Sequence, residues 1–294
     1  MSNLTDKSDS KNLIDLNKLT RLNDWKQCNC FIAEETLIIL GGTEEKPLLG
    51  GSGRIPWDKI RSKIKRVIIK GKIVFNEKYS YLYNLFQNCY NLESIEGLEN
   101  FDTTNVTNMR CMFDSCGKLT ELNLSSWNTS NVHSMEHMFN NCSSLIKLDI
   151  SNWNTTNVTN MRCMFKNCLD LTELDVSHFD TSKVYNMYAM FINCRQLTKL
   201  DLSKWNVSKV QSMSSLFKGC SNLTELDLSN WVTLNYTNKY DVFSWCTKLK
   251  SVDISNFNLT SGVGRMFDRC PKLESIKLPN DFDIDELKFM FGVN

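Results

Sequence analysis

The stretch from Trp127 to Asn152, WNTSNVHSMEHMFNNCSSLIKLDISN, decides how this chain is read. Near its end, Leu148 and Ile150 alternate with Lys147, Asp149 and Ser151. In an extended strand such alternation sends the leucine and isoleucine to one face and the polar residues to the other. The aromatic residue and the Asn-Thr-Ser that follow it turn a corner. In the next copy Val158, Met161, Met164 and Phe165 have helical spacing, which predicts a short helical or 3₁₀ turn that returns the chain.

Outward from this stretch the chain repeats itself. Phe101, Trp127, Trp153, Phe179, Trp205, Trp231 and Phe257 are each 26 residues apart. Parallel columns run in register: Val106 to Val210, Met109 to Met213, Phe113 to Phe243, and leucines such as Leu119, Leu122 and Leu124. A sustained 26-residue period around L-x-x-L-x-L lies in the range of leucine-rich repeats. The predicted fold class is therefore an α/β repeat: a leucine-rich-repeat solenoid with a parallel β-sheet on one face and short helical or 3₁₀ turns on the other. Strands of adjacent coils should stack about 4.8 Å apart.

The copies degrade at both ends, as expected of coils that must face water on one side. Phe75 to Asn100 is a poorer copy, and the copy from Phe257 has lost two residues. The predicted organisation is a polar segment and cap over 1–74, repeats over 75–280 and a C-terminal cap over 281–294, with the acidic run near Asp281 to Glu286. In the head, Thr36 to Leu40 reads as a strand and Val67 to Phe75 as two strands turned at Lys70-Gly71-Lys72. Leu13, Leu16, Leu19 and Leu22 point to an N-terminal helix.

The run Asn100-Phe101-Asp102-Thr103-Thr104-Asn105-Val106-Thr107-Asn108-Met109, with Met-Phe-x-x-Cys and Leu-Asp-Leu-Ser-x-Trp, resembles the BspA-like leucine-rich-repeat surface proteins. The head is similar more loosely, through Trp25 to Cys28, Thr36 to Ile39, Ile64 to Ile69 and Leu92 to Leu98. The resemblance implies a bacterial or protist surface protein, often an adhesin or host-protein binder. Residues 1–24 are polar and hold no signal-peptide core, and no apolar run is long enough to span a membrane. The expected location is the cell surface or secreted by resemblance, and the cytoplasm if the missing leader is genuine.

A formal charge of +1 provides no long-range field for nucleic acid, and 41% hydrophobic residues suffice for a core. Twelve cysteines would draw attention as metal ligands, but Cys89, Cys116, Cys142, Cys168, Cys194, Cys220, Cys246 and Cys270 occupy one repeat position. They read as a buried thiol ladder. Cys28-Asn29-Cys30 lacks partner histidines for a zinc site. His133 and His137 are four apart, but Ser134 stands where a zinc protease needs glutamate, so they read as surface residues. Lys59 to Lys72 carries seven basic residues and reads as a solvated amphipathic cap, and Gly50 to Gly53 as a flexible loop. No nucleophile, base and orienting carboxylate are combined, so no catalytic residue, metal or cofactor is expected.

The outward strand columns form the candidate binding face. One reads Glu121, Lys147, Glu173, Lys199 and Glu225, and the other Asn123, Asp149, Asp175, Asp201, Asp227 and Asp253. Aspartates stacked at strand spacing repel by roughly 1 kcal/mol per neighbouring pair even in water. Hydrogen bonds from the adjacent serine column, or a cation or basic partner, must relieve that repulsion. The function expected is a non-catalytic binding and display scaffold for a protein or glycan ligand. An intracellular scaffold is the alternative.

Overall fold

In the computed structural model, residues 18–46, 48–50, 55–76 and 80–292 are described. Residues up to Asp102 supply eight short strands: β1 (Leu19–Arg21), β2 (Asn29–Ala33), β3 (Thr36–Leu40), β4 (Leu48–Leu49), β5 (Arg66–Lys70), β6 (Ile73–Val74), β7 (Ser94–Glu96) and β8 (Phe101–Asp102). They make two sheets, ordered β1-β2-β3-β5-β7 and β4-β6-β8. The β1-β2-β3 part is antiparallel, and from β3 onward every pairing is parallel, so the head already stacks like a solenoid.

Three expectations for the head are corrected. Leu19–Arg21 is a strand, because its backbone completes the edge of β2; Leu13 and Leu16 lie outside the described residues. The strands either side of Gly71 both form but do not pair with each other. Gly71, at φ 78°, instead passes the chain from one sheet to the other, and a Cβ there would lie 2.3 Å from the Gly42 carbonyl oxygen. The basic segment is a 3₁₀ helix, Asp58–Lys63, followed by β5, so Ile60, Ile64 and Val67 share no single helical face. Of the Gly50 to Gly53 loop, residues 51–53 lie outside the described residues.

The repeats form a solenoid with parallel strands on one face. β9 (Glu121–Asn123) pairs with β10 (Lys147–Asp149), while β11 (Glu225–Asp227), β12 (Ser251–Asp253) and β13 (Ser275–Lys277) form a second group. The opposite face is made of successive turns rather than helix. Each coil there carries i→i+3 bonds such as Met112 N–H to Met109 O and Cys116 N–H to Phe113 O. Two residues per coil interrupt any helix by adopting left-handed backbone, in pairs such as Cys111/Ser115, His137/Asn141, Cys163/Asn167 and Ala189/Asn193. Left-handed backbone costs a non-glycine residue about 1–2 kcal/mol. Asparagine tolerates it best, which accounts for Asn141, Asn167 and Asn193 in the second position.

The cost is offset by what the geometry exposes. Alternate amides point along the solenoid axis, so neighbouring central coils share five backbone bonds on this face, four donated forward and one back. Between one pair of coils these are His133 to Thr107, Met109 to Ser134, Cys111 to Glu136, Phe113 to Met138 and Ser115 to Asn140, at 2.7–3.0 Å. This turn face is the spine of the molecule. Its bridges run unbroken from Tyr81 through Asn108, Ser134, Asn160, Asn186 and Ser212 to Asn238.

Between the two faces, like stacks on like. The rings of Phe113, Phe139, Phe165, Phe191 and Phe217 lie nearly parallel with centroids 5.6–5.7 Å apart. Met109, Met135, Met161 and Val106, Val132, Val158 are fully buried beside them. Each such side chain contributes about 1.5–3 kcal/mol relative to leaving it in water. The corner Trp residues donate Nε1–H to a carbonyl of the preceding coil: Trp127 to Leu98, Trp153 to Leu124, Trp205 to Val176 and Trp231 to Leu202. Where Phe179 replaces tryptophan, the ring nitrogen Nε2 of its neighbour His178 reaches the Ile150 carbonyl, 3.1 Å away.

Both ends are closed by groups that occupy the place of a missing coil. Trp57 stacks on Phe86 and donates to the Leu85 carbonyl, and Arg61 donates to the carbonyls of Leu85 and Gln87. At the other end, α1 (Leu287–Met290) lends the Phe289 and Met290 carbonyls to the amides of Arg265 and Phe267.

Candidate interaction surface

The strand face departs from an even ladder in two of its coils. Asn123 faces Asp149 in the β9–β10 pair, and Asp253 faces Lys277 in the β12–β13 pair, with Lys277 Nζ 3.0 Å from Asp253 Oδ2. Those steps are hydrogen-bonded, and so is the β11–β12 step, in which Asp227 faces Asp253. Between them Asp149, Asp175, Asp201 and Asp227 follow one another with no lysine in the column, and Glu173–Asp175 and Lys199–Asp201 form no strand. The expectation of a strand in every coil is thus corrected for these two. The corner rings Phe179, Trp205, Trp231 and Phe257 are 6.1–6.4 Å apart. Five spine bonds per step hold these coils together without a strand ladder.

The serine column takes part as well, within each coil. Asp149 Oδ1 accepts from Ser151 N–H at 3.1 Å and Ser151 Oγ at 2.7 Å; Asp175 with Ser177, Asp201 with Ser203 and Asp253 with Ser255 do the same, as does Asn123 with Ser125. Hydrogen bonds from these serines hold the carboxyls of Asp149, Asp175, Asp201 and Asp227 below the usual aspartate range. They are fixed anions, with their second oxygens directed to solvent.

Two adjoining grooves gather the candidate residues. One of about 670 Å³ is lined by Glu99, Glu121, Asn123, Lys147, Asp149 and Glu173 over a floor that includes Leu122 and Leu148. The next, about 960 Å³, is lined by Glu173, Asp175, Lys199, Asp201, Glu225, Asp227, Asp253 and Lys277 over Leu174, Leu200, Leu226 and Val252. All eleven residues picked out by strand alternation thus border one continuous face. Lys277 and Glu99 are additions, missed because they lie in the degraded end copies. Nine carboxylates stand against three lysines, an acidic rim around an aliphatic floor.

The remaining candidates sort differently. All twelve cysteines are free and buried. In the repeat column each thiol lies close to the phenylalanine carbonyl of the preceding coil, as Cys142 to Phe113 at 3.1 Å and Cys194 to Phe165 at 3.1 Å. Burial pushes the thiols up, to about 12 for Cys220, and to about 12 for Cys28 and Cys30 in the head. His133 is exposed and His137 half-buried, on turns rather than one helical face; burial lowers His137 below its ordinary value. Among the described residues no group of three His, Cys, Asp or Glu side chains could hold a metal ion. Among them, too, no helix is long and apolar enough to cross a membrane.

The sequence profile of a family described as "Mycoplasma protein of unknown function, DUF285" matches residues 80–175 and 169–279. Among curated proteins none matches. Solved structures that are similar include a leucine-rich repeat protein from Eubacterium ventriosum, at 17% identity over 89% of this chain and 85% of that one, with a TM-score of 0.30. A leucine rich cell surface protein from Faecalibacterium prausnitzii is 13% identical over 94% of this chain and 98% of that one, with a TM-score of 0.36. A leucine-rich repeat protein from Bacteroides ovatus is 16% identical over 92% of this chain and 89% of that one, with a TM-score of 0.31.

Proposed function

We propose that this chain, which belongs to the family described as Mycoplasma protein of unknown function, DUF285, is a non-catalytic scaffold that binds a partner protein along its strand face. The observation that carries the reading is the continuous acidic face over an aliphatic floor, spanning Glu121 to Asp253. Solenoids present extended surfaces of this kind because each coil repeats its outward positions. The carboxylates are preset by their serines, so a partner meets a rigid charge pattern and orders few side chains of the scaffold on binding. Surface display in the manner of BspA-like proteins is part of the proposal, and rests on the sequence resemblance of the Asn-Val-x-x-Met and Leu-Asp-Leu-Ser-x-Trp motifs.

The test is affinity enrichment from native cells and their medium with the wild type and with a charge-reversed triple variant, Asp175→Lys, Asp201→Lys and Glu225→Lys. The expected result is proteins retained by the wild type and lost with the variant, at unchanged thermal unfolding. An identical retained set would overturn the assignment of this face. Digestion of the protein by protease on intact cells, with a cytosolic marker spared, is the outcome expected for display.

A further inference from the structure

We infer that the junction of the head with the first coil is a carbohydrate-binding site, separate from the strand face. A cavity of about 490 Å³ opens there between the 3₁₀ helix Asp58–Lys63 and the turn segment 83–90, in the size range of small-ligand sites. Tyr83 and Tyr90 stand on it, 42% and 52% exposed, with Asn84, Gln87 and Asn88 between them.

Three features of the lining specify the ligand class. First, exposed tyrosine rings are flat apolar faces with a polar edge, suited to the C–H face of a sugar ring. Second, the amides are available and held in place. The backbone amides of Asn84 and Asn88 bond to the Arg110 and Asp114 carbonyls at 3.0 and 2.8 Å, and both residues have left-handed backbone at φ 59° and 60°. Among the described residues their half-buried side-chain amides have no hydrogen-bond partner, whereas Asn167 and Asn193, at the turn position of Asn88, each donate to the asparagine of the preceding coil. Asn88 begins that column, so its amide faces the cavity instead of another coil. Gln87 Nε2 is committed to Asp114 Oδ2, leaving its carbonyl oxygen as an acceptor. Side-chain amides both donate and accept, as vicinal hydroxyls require.

Third, the cavity is poorly suited to an anion. The Arg61 guanidinium is held by Asp58 Oδ1 at 2.8 Å through Nε and by the carbonyls of Leu85 and Gln87 through Nη1, so Lys59 is the one lining cation without a hydrogen bond or ion pair among the described residues. A neutral, hydroxyl-rich ligand fits this lining better than a phosphate.

The experiment applies the full-length protein to a printed array of neutral and acidic oligosaccharides, then titrates the best-retained one by calorimetry. Tyr83→Ala and Tyr90→Ala should each weaken binding about tenfold, and Tyr83→Phe, which keeps the ring, far less. Asn84→Gly and Asn88→Gly remove the amide while keeping the left-handed turn, and should weaken binding with unfolding temperature unchanged. Lys59→Ala should leave affinity for a neutral sugar as it was. No oligosaccharide retained, equal binding by the tyrosine variants, or titration of inorganic phosphate with loss in Lys59→Ala would each overturn the site. The strand-face triple variant should bind the oligosaccharide normally, so this inference and the proposed protein interaction fail separately.

Discussion

Lys239 stands in the column otherwise held by Met109, Met135, Met161, Met187 and Met213, and it is fully buried. Its Nζ donates to the Thr237 carbonyl at 2.6 Å, and among the described residues no carboxylate pairs with it. Burial lowers its pKa from 10.5 to about 8. The unfolded chain therefore binds the proton more tightly than the folded one, so stability rises with pH between about 8 and 10.5 and the cost is fully present below 8. At about 1.4 kcal/mol per unit, the buried ammonium costs roughly 3 kcal/mol at pH 7. Lys239→Met restores the column. Urea unfolding followed by tryptophan fluorescence should show the variant more stable by roughly 2–3 kcal/mol at pH 7, with the gap shrinking by about 2.5 kcal/mol at pH 10. Comparing the two proteins at each pH cancels the titration of all other lysines and tyrosines. A gap that stays constant with pH, or a variant less stable than wild type at pH 7, would refute the reasoning.

Asp175→Asn with Asp201→Asn should remove repulsion worth about 1 kcal/mol per neighbouring pair, seen as a higher urea midpoint than that of the wild type. His178→Ala leaves the Ile150 carbonyl without its side-chain donor and should cost about 1 kcal/mol; adding Phe179→Trp should recover it, since the indole supplies the donor used in the other coils. With every thiol buried and protonated, Ellman's reagent at pH 8 should react with the twelve cysteines only after denaturant is added.

The solenoid was legible because one 26-residue period placed Trp, Val, Met, Phe, Cys and Leu in columns, and columns leave a single way to stack. The strand-face residues were legible for the same reason: alternation about Leu148 and Leu174 assigns their neighbours outward. The returning segment was legible as short turns but not in its hydrogen bonding between coils. Met161, Met164 and Phe165 have helical spacing, yet left-handed backbone at Cys163 and Asn167 spends their amides on the next coil instead of the same turn. Only the recurrent asparagine at 141, 167 and 193 hinted at it. Nor could hydrophobic pattern show that Glu173–Asp175 and Lys199–Asp201 would form no strand, since their alternation matches that of the coils that do. Tyr83, Asn84 and Asn88 were hidden in a degraded copy, where departure from the consensus reads as decay until the missing neighbouring coil is seen.

The central claim is a hydrogen-bonded spine on the turn face that leaves the strand face open for a partner. Hydrogen exchange read by mass spectrometry, on the protein alone and with the protein it enriches, tests it most directly. Alone, amides such as Met135, His137 and Phe139 should exchange slowly while those of 172–176 and 198–202 exchange fast; the partner should slow the second set and leave the spine unchanged. Slow exchange throughout the strand face of the free protein, or partner protection confined to the turn face, would contradict the account.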